Sequence, residues 1–151
     1  MKPTSYSLFE LKDNMKQAAV MLIIKDGLIL SVSRRDDKTK FGLAGGKCES
    51  GESTKDAAIR ETLEETGVNV TDCIHIYKRY EPSSYQGGQG FEAHCYYANT
   101  WSGMPSDSEE GVVTWLTAEE LTGKSGAFPD YNRKTLDQFK IRFPDVYIKG
   151  E

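Results

Sequence analysis

The sequence predicts an α/β (α+β) sandwich, a mixed β-sheet packed between helices, formed by one domain over residues 1–151. A chain of 151 residues suits a single hydrophobic core. Apolar residues at 38% and charged residues at 28% are proportions of a folded domain and exclude a disordered tail. The order of patterns then sets the class. Strands, a helix, more strands and further helices follow one another, with no internal repeat, low-complexity tract or long linker between them.

Residues 18–25 are an apolar run rich in aliphatic and β-branched side chains, which reads as a buried strand. Asp26-Gly27 follows, and residues 28–33 alternate apolar and polar. Asp-Gly between two such runs marks a tight hairpin, because both turn positions tolerate positive φ. Residues 34–40 form a charged loop and 41–44 a short strand. Ser53 is placed to cap a helix, with Asp56 near the positive end of its dipole. That helix runs to Thr66, and Gly67 is its left-handed stop. Residues 68–80 and 91–101 read as strands joined by a Pro-, Ser- and Gly-rich loop over 81–90. Another strand spans 111–116, and Thr117 caps a short helix with acids in its first turn. A last amphipathic helix covers 132–142, with Leu136, Phe139 and Phe143 turned inward.

Nineteen Lys and Arg stand against 23 Asp and Glu, a net charge of −4. That balance argues against an extended nucleic-acid surface and against an anionic lipid surface as partner. A small phosphorylated ligand is still allowed, since a few cations suffice to grip it. No run approaches the ~18–20 apolar residues of a membrane span. Residues 1–16 are polar and lack the apolar core of a signal peptide, so a cytoplasmic location is expected. Cys48, Cys73 and Cys95 are odd in number and contain no Cys-x-x-Cys pair, which also fits a reducing compartment. His75 and His94 fall in predicted strands near Cys73 and Cys95. Strand alternation sets His94 and Cys95 on opposite faces, which argues against a four-ligand zinc site.

The informative segment is residues 46–68. On a helix of about 100° per residue, Glu65 lies about 40° from Glu61 and Glu64 about 60° the other way. Three carboxylates therefore share one face. Ile59 and Leu63 fall opposite, which predicts that Leu63 docks on the sheet. Arg60 lies a quarter-turn away, so nothing on the acidic face itself answers the repulsion. A hard divalent cation would answer it, and Mg²⁺ prefers oxygen ligands of this kind. A Glu triplet taken alone reads more readily as a solvated acidic helix face.

The surrounding identities favour the cation. Gly46, Glu52, Arg60, Glu61, Glu64, Glu65 and Gly67 stand at the spacings of the Nudix box. With each residue type near ~7% of usage, seven fixed identities arise by chance in about one chain in a million of this length. The sequence resembles a Nudix hydrolase. Fainter resemblance reaches the upstream hairpin and the segment from Glu109 to Trp115. Two positions depart from the usual pattern. Ala44 precedes Gly45 and Gly46 where the family usually has Pro, and Thr62 takes a commonly aliphatic place.

The resemblance implies the sandwich fold and hydrolysis of a nucleoside diphosphate linked to another group, with one to three Mg²⁺ or Mn²⁺ ions. Carried over by position, Glu61, Glu64 and Glu65 are metal ligands, with Glu61 or Glu64 near the attacking water. Arg60 orients a carboxylate, Glu52 assists from the loop, and a backbone carbonyl of Gly45 or Gly46 completes the shell. Glu110 is the candidate for a further acid outside the box, with Glu109 as its alternate. Which acid is the base stays open. Arg34 and Arg35 are candidates to grip a phosphate, or else belong to a solvated loop. Tyr85 is the candidate to stack on a base. In some subgroups a Pro beyond the box goes with ADP-ribose and a Tyr with dinucleoside polyphosphates, and Pro82 and Tyr85 hint at both.

The substrates expected first are therefore ADP-ribose, diadenosine polyphosphates or FAD. The alternatives are a (d)NTP pyrophosphohydrolase of the nucleotide pool, an RNA cap-removing hydrolase or, more remotely, a non-catalytic nucleotide-sensing module. The resemblance also allows a homodimer.

Overall fold

The computed structural model describes residues 16–81 and 90–151. Pro82 and Tyr85, and with them the proposed stacking loop, lie outside the described residues. Strands β1 (Lys16–Leu22), β2 (Ile24–Lys25), β3 (Leu28–Ser33) and β4 (Phe41–Lys47) come first, followed by helix α1 (Thr54–Thr66). Strands β5 (Asn69–Glu81), β6 (Phe91–Ser102) and β7 (Val113–Leu116) follow, and then helices α2 (Ala118–Thr122) and α3 (Pro129–Arg142).

Seven strands form one sheet in the order β2-β3-β4-β1-β6-β5, with β7 added on β3. The β1–β6 pair is parallel, with Ala19 opposite His94, and the other pairs are antiparallel. The run read as one strand over 18–25 is interrupted at Ile23. There it leaves β4 for β3, and the Leu30 amide holds the Ile23 carbonyl at 2.9 Å. The Asp26-Gly27 turn has φ of 53° and 79°, the two positive values that a tight hairpin requires. Strand β4 runs past Ala44 through both glycines to Lys47.

Helix α1 covers one face of the sheet and α3 the other. Ala57 and Ala58 of α1 share a core with Ala19, Met21, Val70 and Tyr96. Leu136 and Phe139 of α3 pack with Leu22, Ile76 and Cys95, and Phe143 is half-buried beside them. This is the mixed sheet between helices that the sequence predicts.

The docking face of α1 is different from the one predicted. Leu63 is 47% exposed. The buried side chains are Ala57, Ala58, Thr62 and Thr66, which lie within the same half-turn of the helix as Glu61 and Glu65. Small residues let the helix approach the glycine-bearing strand β4 closely, whereas Leu63 on the far side meets solvent. The carboxylate face and the docking face thus overlap.

Candidate active site

Ser53 caps α1, its Oγ accepting the Asp56 amide at 3.0 Å, and Gly67 ends the helix with φ 80°. Between these caps the helix presents Glu61 and Glu65 toward β4. A Cβ at Gly46 would sit 2.7 Å from the Glu61 carboxyl carbon, so the glycine makes room for that carboxylate. At Gly45 a Cβ would meet the Ala19 carbonyl oxygen at 2.2 Å, which lets neighbouring strands close up. The Gly45 amide donates to Glu65 Oε1 at 2.8 Å. Two backbone glycines and two helix carboxylates therefore form one wall.

Arg60 corrects the expectation that nothing answers the acids. Its side chain is long enough to cross the quarter-turn. The guanidinium grips Glu52 bidentately, with Nε to Oε2 at 2.8 Å and Nη2 to Oε1 at 2.9 Å. Nη1 then reaches Glu61 at 2.9 Å and Glu64 at 3.2 Å, with Glu49 at 3.7 Å. One cation orients four carboxylates. The Arg60 hydrogen bonds hold the Glu52 carboxyl down at about 2.

Among the described residues, no such cation acts on Glu65. Burial pushes its carboxyl up to about 8, against the opposing Gly45 hydrogen bond, with the charges of Glu61, Glu110 and Glu64 adding to the rise. Burial also raises Glu61, although Arg60 opposes it. Among the described residues, no three Asp, Glu, His or Cys side chains converge tightly enough to hold an ion as they stand. Arg60 engages one oxygen each of Glu61 and Glu64, and the Gly45 amide one oxygen of Glu65. The donor set nevertheless fits a hard divalent cation: all ligands are oxygens, and two of the carboxylates are raised by burial. Glu61, Glu64, Glu65 and Glu52, with a carbonyl of Gly45 or Gly46, are the residues that could hold it.

A cleft of about 230 Å³ opens beside Glu65. Arg34, Arg35 and Glu110 line its polar side, and Val32, Leu43 and Phe128 its apolar side. Arg35 Nη2 donates to Glu110 Oε2 at 2.8 Å across the cleft, and Arg34 pairs with Asp36 at 2.8 Å. Glu110 is fixed by its own amide, which donates to Ser108 Oγ at 3.1 Å. Next to it, Ser33 Oγ accepts the Val112 amide at 2.9 Å. Of the two acids named there, Glu110 lines the cleft, and Glu109 is not among its walls.

Sequence reasoning missed Phe128. It is 57% exposed and stands over Gly42, where an added Cβ would lie 3.6 Å from its ring. An aromatic residue in a Gly- and Ser-rich stretch, just before the Pro that opens α3, was the available signal.

The NUDIX domain model matches residues 15–139. The chain belongs to the Nudix family. Among Nudix relatives, the putative 8-oxo-dGTP diphosphatase of Bacillus subtilis is 28% identical over 137 residues, covering 87% of this chain and 85% of that one. The oxidized purine nucleoside triphosphate hydrolase of Danio rerio is 27% identical, covering 89% and 92%. The CTP pyrophosphohydrolase of Escherichia coli is 28% identical, covering 70% and 78%. The crystal structure of the MutT NUDIX hydrolase from Burkholderia pseudomallei superposes with a TM-score of 0.69 at 23% identity, covering 83% and 98%. This likeness shows the Nudix fold. The chain is a Nudix pyrophosphohydrolase, of a family that acts on small-molecule nucleotide substrates and typically depends on divalent metal ions. No helix among the described residues is long and apolar enough to cross a membrane.

Proposed function

We propose that this enzyme is a nucleoside triphosphate pyrophosphohydrolase, releasing a monophosphate and pyrophosphate. The observation that carries the reading is the cleft beside Glu65. Arg34 and Arg35 stand on one side of it and Phe128 forms an aromatic wall on the other, a place for the phosphate chain and the base of a nucleotide. The Bacillus, Danio and Escherichia relatives are all named for nucleoside triphosphates. These relatives favour the nucleotide-pool alternative over the ADP-ribose, diadenosine polyphosphate or FAD reading expected first.

In this reading Glu61, Glu64, Glu65 and Glu52 hold one to three Mg²⁺ or Mn²⁺ ions, with a carbonyl of Gly45 or Gly46. When bound, such ions neutralise phosphate oxygens and lower the pKa of water. Arg60 keeps Glu52, Glu61 and Glu64 aimed, so that little reorganisation is needed when substrate arrives. Arg35 exchanges Glu110 for a substrate phosphate, and the freed Glu110 carboxylate turns to the reacting end of the cleft. Arg34 supports the same rim. The free thiols of Cys48, Cys73 and Cys95 accord with action in a reducing cytoplasm.

A substrate panel of nucleoside triphosphates, ADP-ribose, diadenosine polyphosphates and capped RNA, with Mg²⁺ and with Mn²⁺, tests the proposal. Pyrophosphate release from a triphosphate should exceed every other activity and should fall by orders of magnitude in Glu64→Gln. AMP release from ADP-ribose with no pyrophosphate from any triphosphate would overturn it.

A further inference from the structure

The chain has two histidines, and the antiparallel pairing of β5 with β6 brings them together. His75 Nε2 lies 2.9 Å from His94 Nδ1. The other nitrogen of His94, Nε2, meets Glu92 Oε1 at 2.7 Å. The His94 and Glu92 side chains are only 11% and 14% exposed, so this half of the arrangement is held firmly. Gln17 Nε2 donates to the same Glu92 oxygen at 3.1 Å from β1.

A carboxylate can only accept, so Glu92 requires the His94 proton on Nε2. His94 Nδ1 then offers a lone pair toward His75. A single proton on His75 Nε2 fills the gap between the two rings. Two metal–nitrogen bonds of about 2.0–2.1 Å at a right angle would set their nitrogens roughly 2.9 Å apart. The gap thus has the span of two neighbouring positions on one metal ion.

We propose that His75 and His94 chelate one borderline divalent ion of the nickel or copper class, with Glu92 anchoring His94. Imidazole suits these metals and does not suit Mg²⁺. A carboxylate behind a metal-binding imidazole fixes its tautomer and raises its basicity. Among the described residues no third His, Cys, Asp or Glu joins the pair, so water completes the shell. This differs from the four-ligand site considered from sequence, because Cys95 is buried in the core under α3 and Cys73 in the core under α1. Two cations lie nearby, and each has another partner. Lys78 Nζ is 4.0 Å from Glu92, and Arg142 donates to the His75 carbonyl. The His75 ring also packs edge-on to Tyr96 at 5.1 Å, and Tyr96 shares a 2.6 Å hydrogen bond with Thr54 at the start of α1.

The test is calorimetric titration of the untagged full chain with NiCl₂ in excess Mg²⁺, which keeps the oxygen ligands of the catalytic face occupied. One Ni²⁺ should bind, at least tenfold more tightly to the native chain than to His75→Ala, with Glu92→Gln also weakened about tenfold. His75 is exposed, so its truncation leaves the core intact. Ni²⁺ should also raise the melting temperature of the native chain and leave that of His75→Ala unchanged. Equal Ni²⁺ affinity in native and His75→Ala, or no saturable binding by the native chain, would overturn the site.

Discussion

Truncating Phe128 to Ala leaves every carboxylate in place and removes the apolar wall opposite Gly42. A base stacked on an aromatic ring gains roughly 1–3 kcal/mol. Phe128→Ala should therefore raise KM for a nucleoside triphosphate about tenfold with kcat little changed, and Phe128→Tyr should restore it. Steady-state kinetics on the best substrate of the panel decides between this and a purely structural role, which would move kcat and the melting temperature instead. The residue also shows where sequence reading stops. The carboxylates and Arg60 were legible because all of them lie within one helix and its preceding loop, where spacing fixes relative position. Phe128 reaches the cleft through long-range pairing: the Phe41 amide donates to the Ser125 carbonyl at 2.7 Å and the Ala127 amide to the Phe41 carbonyl at 2.7 Å. Arg35 and Glu110 meet across the same fold, from opposite halves of the chain.

At the scale of the element, helix α1 was legible in its ends and misread in its orientation. The caps depend on local residues, and Ser53 and Gly67 act as their chemistry requires. The docking face depends on the surface opposite. Hydrophobic periodicity selects Ile59 and Leu63, but a strand carrying Gly45 and Gly46 admits a helix only through small side chains. Ile59 packs at the edge of that core and Leu63 does not. Two variants follow from the observed orientation. Leu63→Ala should cost only a few tenths of a kcal/mol, far below the ~2–5 kcal/mol of a buried leucine. Thr62 is fully buried, and its hydroxyl has no hydrogen-bond partner among the described residues. Thr62→Val removes that orphaned group at nearly constant shape and should stabilise the fold by about 1 kcal/mol. Thermal melts of the two single mutants check both expectations.

At the scale of the whole molecule, the sequence conveyed the layers and withheld the parallel β1–β6 pairing, because no local pattern joins Ala19 to His94. The assembled sheet and helix also set a dependence on pH that neither element has alone, through two carboxylates shifted in opposite directions. Glu52 is held at about 2 by Arg60, below the ordinary 4.5. The folded state therefore binds fewer protons there than the unfolded chain, and this stability is lost as pH falls from 4.5 toward 2. Glu65 is raised to about 8, chiefly by burial. Between 4.5 and 8 the folded state keeps a proton that the unfolded chain has lost, so stability declines as pH rises through that window. The metal-free protein should thus lose melting temperature from pH 5 to pH 8, and Glu65→Gln should flatten that limb while leaving the acid limb unchanged. Since a coordinated carboxylate must be ionised, Mg²⁺ should raise the native melting temperature more at pH 8 than at pH 5. Binding near pH 7 should release close to one proton, measurable by calorimetry in buffers of different ionisation enthalpy. An identical Mg²⁺ effect at both pH values, with no proton released, would show that Glu65 is not the ligand through which the ion stabilises the fold.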